Sequence, residues 1–389
     1  MENGAATARP GPARLEILRR QNGEWQVEAL EDSEAAVFHK AMVYTLPGGR
    51  PGLLTLSGVH PREEGRPLAH PPAIKLWHAG PEGWASRTLW SDDFGGRFNR
   101  MRDAEIADVY GDGRPDVAIG THDQGVVVVL RPGEGDAAPT VTRLDRRENT
   151  FIHEIEIGDV DGDGKLEIYA TPSEPNTLAG GAQHGEVVRY VPAANGVRLV
   201  VADLGNRHAK EIFVGDVDGD DTDELYVAVE ALTAGERGER IVEPVEIRRY
   251  EADTPADEGA VIATINDRFT RFLTVGDFDG DGKQEMIAAA FSSGLWLLRP
   301  GRDPNAEWSI ESIDRDSGGF EHASLAADLD GDGTDELYVA ADEQGELRRY
   351  VWRNGRARRE VIHRRDIPRS MMTWNITTAP IAVVTPSAE

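Results

Sequence analysis

The 389-residue chain contains no cysteine. Disulfides, thiolate metal sites and thiol nucleophiles are thereby excluded. No apolar run approaches the ~18 residues that carry a helix across a bilayer, so membrane insertion is not expected. The opening segment, MENGAATARPGPARLEILRR, lacks the apolar core of a signal peptide. Positive charge is scarce: 42 Lys and Arg stand against 69 Asp and Glu, for a net charge of −27. Such a surface repels a phosphate backbone unless a local basic patch intervenes, so nucleic acid is not an expected partner. Helical periodicity is convincing nowhere. HExxH, phosphate-loop and dinucleotide fingerprints are missing, as is any Ser/His/Asp order.

What the chain has is turns and repetition. Gly at 42 and Pro at 22 read as turn-rich rather than disordered, and a hydrophobic content of 39% suffices for a core. One phrase recurs: ADVYGDGRPDVAIG from Ala107, GDVDGDGKLEIYA from Gly158, GDVDGDDTDELYVA from Gly215, GDFDGDGKQEMIAA from Gly276 and ADLDGDGTDELYVA from Ala327. Its first Asp falls at 108, 159, 216, 277 and 328, giving intervals of 51, 57, 61 and 51 residues. A period of that size implies one supersecondary unit per repeat, too small to bury a core alone.

Each phrase lies between two short apolar runs, which makes a hairpin, here A–B. A second pair, C–D, follows each one, as in EVVRYVP and VRLVVADL. The unit is therefore four antiparallel strands. A weaker A–B pair starts at Ala41, a seventh is read in SMMTWNITTAPIAVV from Ser370, and the first C–D pair is ARLEILRRQNGEWQVEAL. Beginning with C–D and ending with A–B, the chain is expected to close a ring by pairing N-terminal outer strands with C-terminal inner strands, which removes exposed edges. The expected fold is an all-β, seven-bladed β-propeller over residues 14–385, with tails at 1–13 and 386–389. Six or eight blades follow if one weak unit is miscounted.

The acidic loops have the spacing of a calcium site. In the loop from Asp159, carboxylates stand at Asp159, Asp161, Asp163 and Glu167, and Lys165 at position seven offers its backbone carbonyl. Calcium takes six to eight oxygens, and carboxylates this close repel without a cation between them. Glycines at positions four and six permit positive φ. The same grammar holds at Asp216, Asp218, Asp220, Thr222 and Glu224, where Asp221 replaces the second glycine. It holds at Asp277, Asp279, Asp281, Lys283 and Glu285, and at Asp328, Asp330, Asp332, Thr334 and Glu336. The loop with Asp108, Asp112 and Asp116 has Tyr110 where the second Asp belongs, so its site is expected to be weaker or missing. An Asp-Gly turn is the plain alternative. Magnesium prefers more water, and an EF-hand has its Glu at position twelve. Five calcium ions would bring the charge from −27 to −17.

These phrases resemble the FG-GAP or VCBS-type repeats of bacterial surface and secreted proteins, which are similar to the calcium-binding blades of integrin α-subunit propellers. The resemblance implies a propeller whose A–B loops hold structural calcium, with the acids above as ligands and no metal in the first and last blades. It also implies an extracytoplasmic setting.

A second regularity concerns the start of each A strand. Lys40, Arg102, His153, Lys210, Arg271, His322 and Arg369 supply one basic residue per unit. In the five clear repeats it precedes the first Asp by six positions, and in four units a Phe stands two residues earlier. The innermost strands would place these residues around the channel mouth, opposite the metal loops. Either they recognise an anion, or they pair with acids of neighbouring blades such as Asp103, Glu154 and Glu211. Long B–C loops on that face, Leu56–Pro72, Pro172–Glu186 and Glu230–Val245, bring His60, His70 and His184, with His122-Asp123 nearby.

Two readings follow. The first is a binding module recognising an anionic small molecule, carbohydrate or protein. The second is an enzyme resembling polysaccharide lyases that act on uronates. There Arg102 or Arg271 would neutralise the carboxylate and His153 or His322 would be the base. That second reading requires a groove reaching the ring.

Overall fold

The computed structural model describes residues 11–59, 69–96, 98–122, 124–135, 137–174, 184–235, 238–365 and 372–386. The second strands of the repeats show why the units assemble. Glu224–Val229 reads ELYVAV, and all of it is buried. Alternate side chains of a strand point to opposite faces. Leu225, Val227 and Val229 pack with Tyr169, Val187 and Ala202 of the preceding unit. Tyr226 and Ala228 pack with Leu273, Met286 and Ala288 of the following one. A strand apolar on both faces needs a sheet on each side, and the propeller supplies them.

Six four-stranded antiparallel sheets result. Blade 1 is Val37–Thr45, Pro51–Gly58, Ala73–Gly80 and Gly83–Ser91. Blade 2 is Met101–Ala107, Asp116–Thr121, Val127–Arg131 and Thr140–Asp145. Blade 3 is Phe151–Gly158, Glu167–Glu174, His184–Tyr190 and Leu199–Asp203. Blade 4 is Ala209–Gly215, Glu224–Val229, Val245–Tyr250 and Ala260–Ile265, with an extra hairpin of Leu232–Ala234 and Arg240–Glu243 between its second and third strands. Blade 5 is Thr270–Gly276, Glu285–Ala290, Leu295–Arg299 and Ser309–Asp314. Blade 6 is Ser324–Ala327, Glu336–Ala341, Glu346–Arg353 and Arg356–Arg364. The first strands of successive blades pack against one another around the axis. The apolar core lies between blades, as separate clusters at successive interfaces.

The blade count corrects the expectation of seven. The first C–D pair forms a two-stranded sheet of its own, Ala13–Gln21 with Glu24–Asp32, closed by Asn22 and Gly23 at φ of 54° and 87°. The last A–B pair does not form: among the described residues, 372–380 carry no regular structure and Ile381–Val384 is one helical turn. Among the described residues no ladder joins the two chain ends, so there the ring is not closed by strand pairing. The reason is local. Pro380 has no N–H to give a ladder. Side chains take up the groups a ladder would use: Asn375 Oδ1 accepts from Ala41 N at 3.3 Å, and Arg19 donates to the Val384 carbonyl. The ends still meet by burial, because Val383 and Val384 join Ala13, Ile17, Leu30, Phe38 and Trp77 in one cluster. His363 of blade 6 lies 3.8 Å from Glu16 of the hairpin, so this assembly sits between blades 6 and 1.

Candidate metal centres

Strand register builds each acidic loop. Gly158 pairs with Glu167, Gly215 with Glu224, Gly276 with Glu285 and Ala327 with Glu336. The acid that follows the inner strand is thereby brought beside the acid that opens the second strand. The first acid then shapes the loop. Asp159 accepts backbone N–H bonds from Asp163 at 3.0 Å and Gly164 at 2.8 Å. Asp277 accepts from Gly280, Asp281 and Gly282 at 2.8, 3.1 and 2.9 Å, and Asp216 and Asp328 do the same in their loops. Such wrapping requires a left-handed residue at position six. Gly164 has φ of 80° there, and Asp221 adopts 68° in blade 4.

Four groups of carboxylate oxygens lie within 4.8 Å of one another: Asp159, Asp161 and Glu167; Asp216, Asp218 and Glu224; Asp277, Asp279 and Glu285; Asp328, Asp330 and Asp332. The fifth-position acids Asp163, Asp220 and Asp281 fall outside these groups. Each accepts the backbone N–H of Lys165, Thr222 or Lys283 at 2.9 Å, and Asp332 accepts that of Thr334 at 2.9 Å as well. Lys165 also pairs its ammonium with Asp163. The loop of Asp108, Asp112 and Asp116 forms no such group among the described residues. Its Asp112 pairs with Arg131, which stacks 4.2 Å from the Tyr110 ring centre.

An arginine on the third strand of each of these blades went unread in the sequence. Arg189 bonds Asp161 at 2.8 Å and Glu167 at 2.9 Å. Arg249 lies 2.8 Å from both Asp218 and Glu224. Arg299 reaches Asp279 at 3.0 Å and Glu285 at 3.3 Å, and Arg349 pairs with Asp330 and Glu336. Arg189 and Arg299 follow apolar residues in VVRY and WLLR, and Arg249 and Arg349 stand in the RRY of VEIRRY and ELRRY; this recurring third-strand arginine was the available signal.

The guanidinium does not fully compensate its acids. Burial pushes Glu167, Glu224 and Glu285 up to about 7, against opposing bonds from Tyr169, Tyr226 and the Phe278 N–H. Asp116 is raised to about 6 by burial. Asp218 Oδ1 is buried without a hydrogen-bond partner. An all-oxygen donor set with unspent acceptor capacity fits a hard cation of the calcium type.

The described basic residues at the inner-strand starts are buried, Lys40 partly so, and committed. Lys40 lies 2.9 Å from Asp103 and also pairs with Glu105. Arg102 reaches Glu154 at 3.4 Å and Glu321 at 3.6 Å. Arg271 pairs with Glu321 and stacks on Phe320. Lys210 lies 3.5 Å from Glu230. His153 Nε2 faces two guanidiniums, Arg102 at 3.1 Å and Arg271 at 2.6 Å. It must accept from both, so its proton sits on Nδ1, 2.6 Å from Glu154. Burial and those two arginines hold its pKa well below the usual histidine range. His322 stands apart from this layer: it bonds Ser317 and the Ala290 carbonyl, both at 2.7 Å, and burial lowers it to about 4. With exposures of 1% and 0%, neither His153 nor His322 is open to a substrate.

Arg369, His60 and Asp123 lie outside the described residues. His70 lies 3.7 Å from Glu34, and His184 bonds Glu186 at 3.2 Å. His122 is buried against Phe151.

Residues 108–170 and 277–339 match the FG-GAP-like repeat family. Each window opens on the first acid of a loop and takes in the next loop as well. No curated protein matches the chain.

Proposed function

We propose, from the premise that this is a β-propeller of FG-GAP-like repeats, that it is a calcium-stiffened binding module whose ions sit in the A–B loops of blades 3 to 6. The observation that carries the reading is the convergence of three carboxylates within 4.8 Å at four equivalent loops. A calcium ion there would be held by Asp159, Asp161 and Glu167 and their counterparts, and would tie the inner strand of a blade to its second strand. The arginine of each loop is then a stand-in countercharge that keeps the carboxylates together. Partner recognition falls to the surface loops of the rigid ring. The cations at the channel mouth are spent on Asp103, Glu154, Glu230 and Glu321, so neither anion capture nor uronate chemistry draws support from them.

Calorimetric titration of chelator-treated protein with calcium tests this directly. The expected result is saturable binding near four ions per chain and a higher melting temperature, because a ligand bound only by the folded state stabilises it. Asp161→Asn with Glu167→Gln should remove one ion. A melting curve indifferent to calcium overturns the proposal.

A further inference from the structure

A cavity of about 280 Å³ lies on the propeller axis, lined by Asp103, Glu105, Glu154, Glu156 and Glu211 from three adjacent inner strands. The sequence places these acids by strand alternation. Asp103 and Glu105, like Glu154 and Glu156, are two residues apart and share a strand face. Among the described residues only Lys40 and Arg102 oppose them in the cavity wall, and both already hold ion pairs there. Among the described residues, Glu156 and Glu211 have no ion pair. Glu211 is 7% exposed, faces the cavity, and its Oε2 has no hydrogen-bond partner. Burial and the neighbouring acids hold the Glu211 carboxyl well above the usual range; its bare oxygen is relieved by a proton or by a donor, and a cationic ligand supplies the donor while the group is ionised.

The geometry limits that ligand. The close-set carboxylate groups of the described residues all lie in the blade loops, and none lies in this cavity. A bare divalent ion, which needs its oxygens within a single small sphere, has no ready seat. The opposite wall comes from blades 5 and 6 and carries Phe272, Thr274 and Ser324. It offers an apolar surface and hydroxyls rather than charge. Spread carboxylates facing a partly apolar wall suit an elongated organic cation with several N–H donors. One end of the axis is stopped by the buried layer of His39, Arg102, His153, Arg271 and Glu321. At Glu105 the side chain is 30% exposed, so entry is from the side of the metal loops.

We propose that the axial cavity binds an aliphatic polyamine, its ammonium groups bridging Glu211, Glu156 and Glu105. This site is independent of the loop calcium sites. Calorimetric titration of the calcium-loaded full chain with spermidine as probe is the test. One saturable site is expected. Glu211→Gln and Glu156→Gln, each checked for a cooperative melt, should weaken it at least about tenfold, the loss expected for one charge-assisted contact. Glu258→Gln, at an exposed turn of blade 4, should leave the spermidine affinity unchanged, and the neutral 1,8-octanediol should give no binding heat. No saturable spermidine binding overturns the proposal. So does wild-type affinity in both Gln variants, which would mark diffuse attraction to the acidic surface. Magnesium binding that is lost in the Gln variants, without spermidine binding, would assign the cavity to an inorganic ion instead and equally overturn it.

Discussion

In the loops of blades 3 to 6 one guanidinium pairs with two of the acids, and the balance within that group governs how the protein responds to pH and to metal. Glu167, Glu224 and Glu285 sit at about 7, raised from an ordinary 4.5 by burial. A carboxyl whose folded pKa is raised contributes stability that is complete below its unfolded pKa and is lost as pH climbs through the folded one. Metal-free protein should therefore melt at progressively lower temperature from pH 5 to pH 8. With calcium saturating the loops the carboxylates are ionised and paired, so the fall should largely vanish. Equal slopes with and without calcium in a melting series would show that these glutamates do not touch the ion. Arg249 allows a second test. It is 1% exposed and holds Asp218 and Glu224 together. Removing one partner of a buried ionic group costs about 3–5 kcal/mol. Arg249→Met should show a loss of that order in chelator, measured by urea unfolding, and a much smaller one in calcium. The acids were legible in the sequence because nine positions of one short loop hold them all. Arg249 was not, because a variable insertion that includes Leu232–Ala234 and Arg240–Glu243 separates it from Asp216.

Between neighbouring blades, the inner strands approach too closely for a side chain at certain points. A Cβ added at Gly158 would stand 2.2 Å from Val214 Cγ1 and 3.1 Å from Asp223 Oδ2 of the next blade. The same Asp223 oxygen accepts the N–H of Asp159 at 3.1 Å, so the contact also anchors the start of the metal loop. Overpacking such an interface costs about 1–3 kcal/mol. Gly158→Ala should show that loss in urea unfolding and should weaken calcium binding at the Asp159 loop as well. At Gly164 there is open space around the added Cβ, but φ is 80°. Gly164→Ala should therefore cost about 1–2 kcal/mol through backbone strain alone. A Gly158→Ala variant as stable as wild type would mean that blades 3 and 4 are not in register at this point. The five full repeats were readable as blades because alternation, turn glycines and acids agree within each. The weaker units at the two chain ends have the apolar content of blades without those punctuating residues, and only the one at Ala41 became a complete blade.

The molecule as a whole depends on how the two chain ends cover the gap between blades 6 and 1. Every other interface joins two full sheets, each apolar on both faces. Here a hairpin and an irregular segment do that work through side-chain burial, with no shared ladder among the described residues. Val383 and Val384 are 3% and 6% exposed, against Ala13, Ile17, Phe38 and Trp77. Burying each valine is worth about 1.5–3 kcal/mol. Deleting residues 372–389 should lower the melting temperature markedly and expose enough apolar surface to bind a hydrophobic dye. The metal loops of blades 3 to 5 are built by local hairpin register, so their calcium affinity should be kept in the truncated protein below its new melting point. An unchanged melting temperature with no dye binding would place this segment outside the core. Concerted loss of calcium binding with the segment would mean instead that the ring is one cooperative unit, in which the loops cannot hold their shape once a single interface opens.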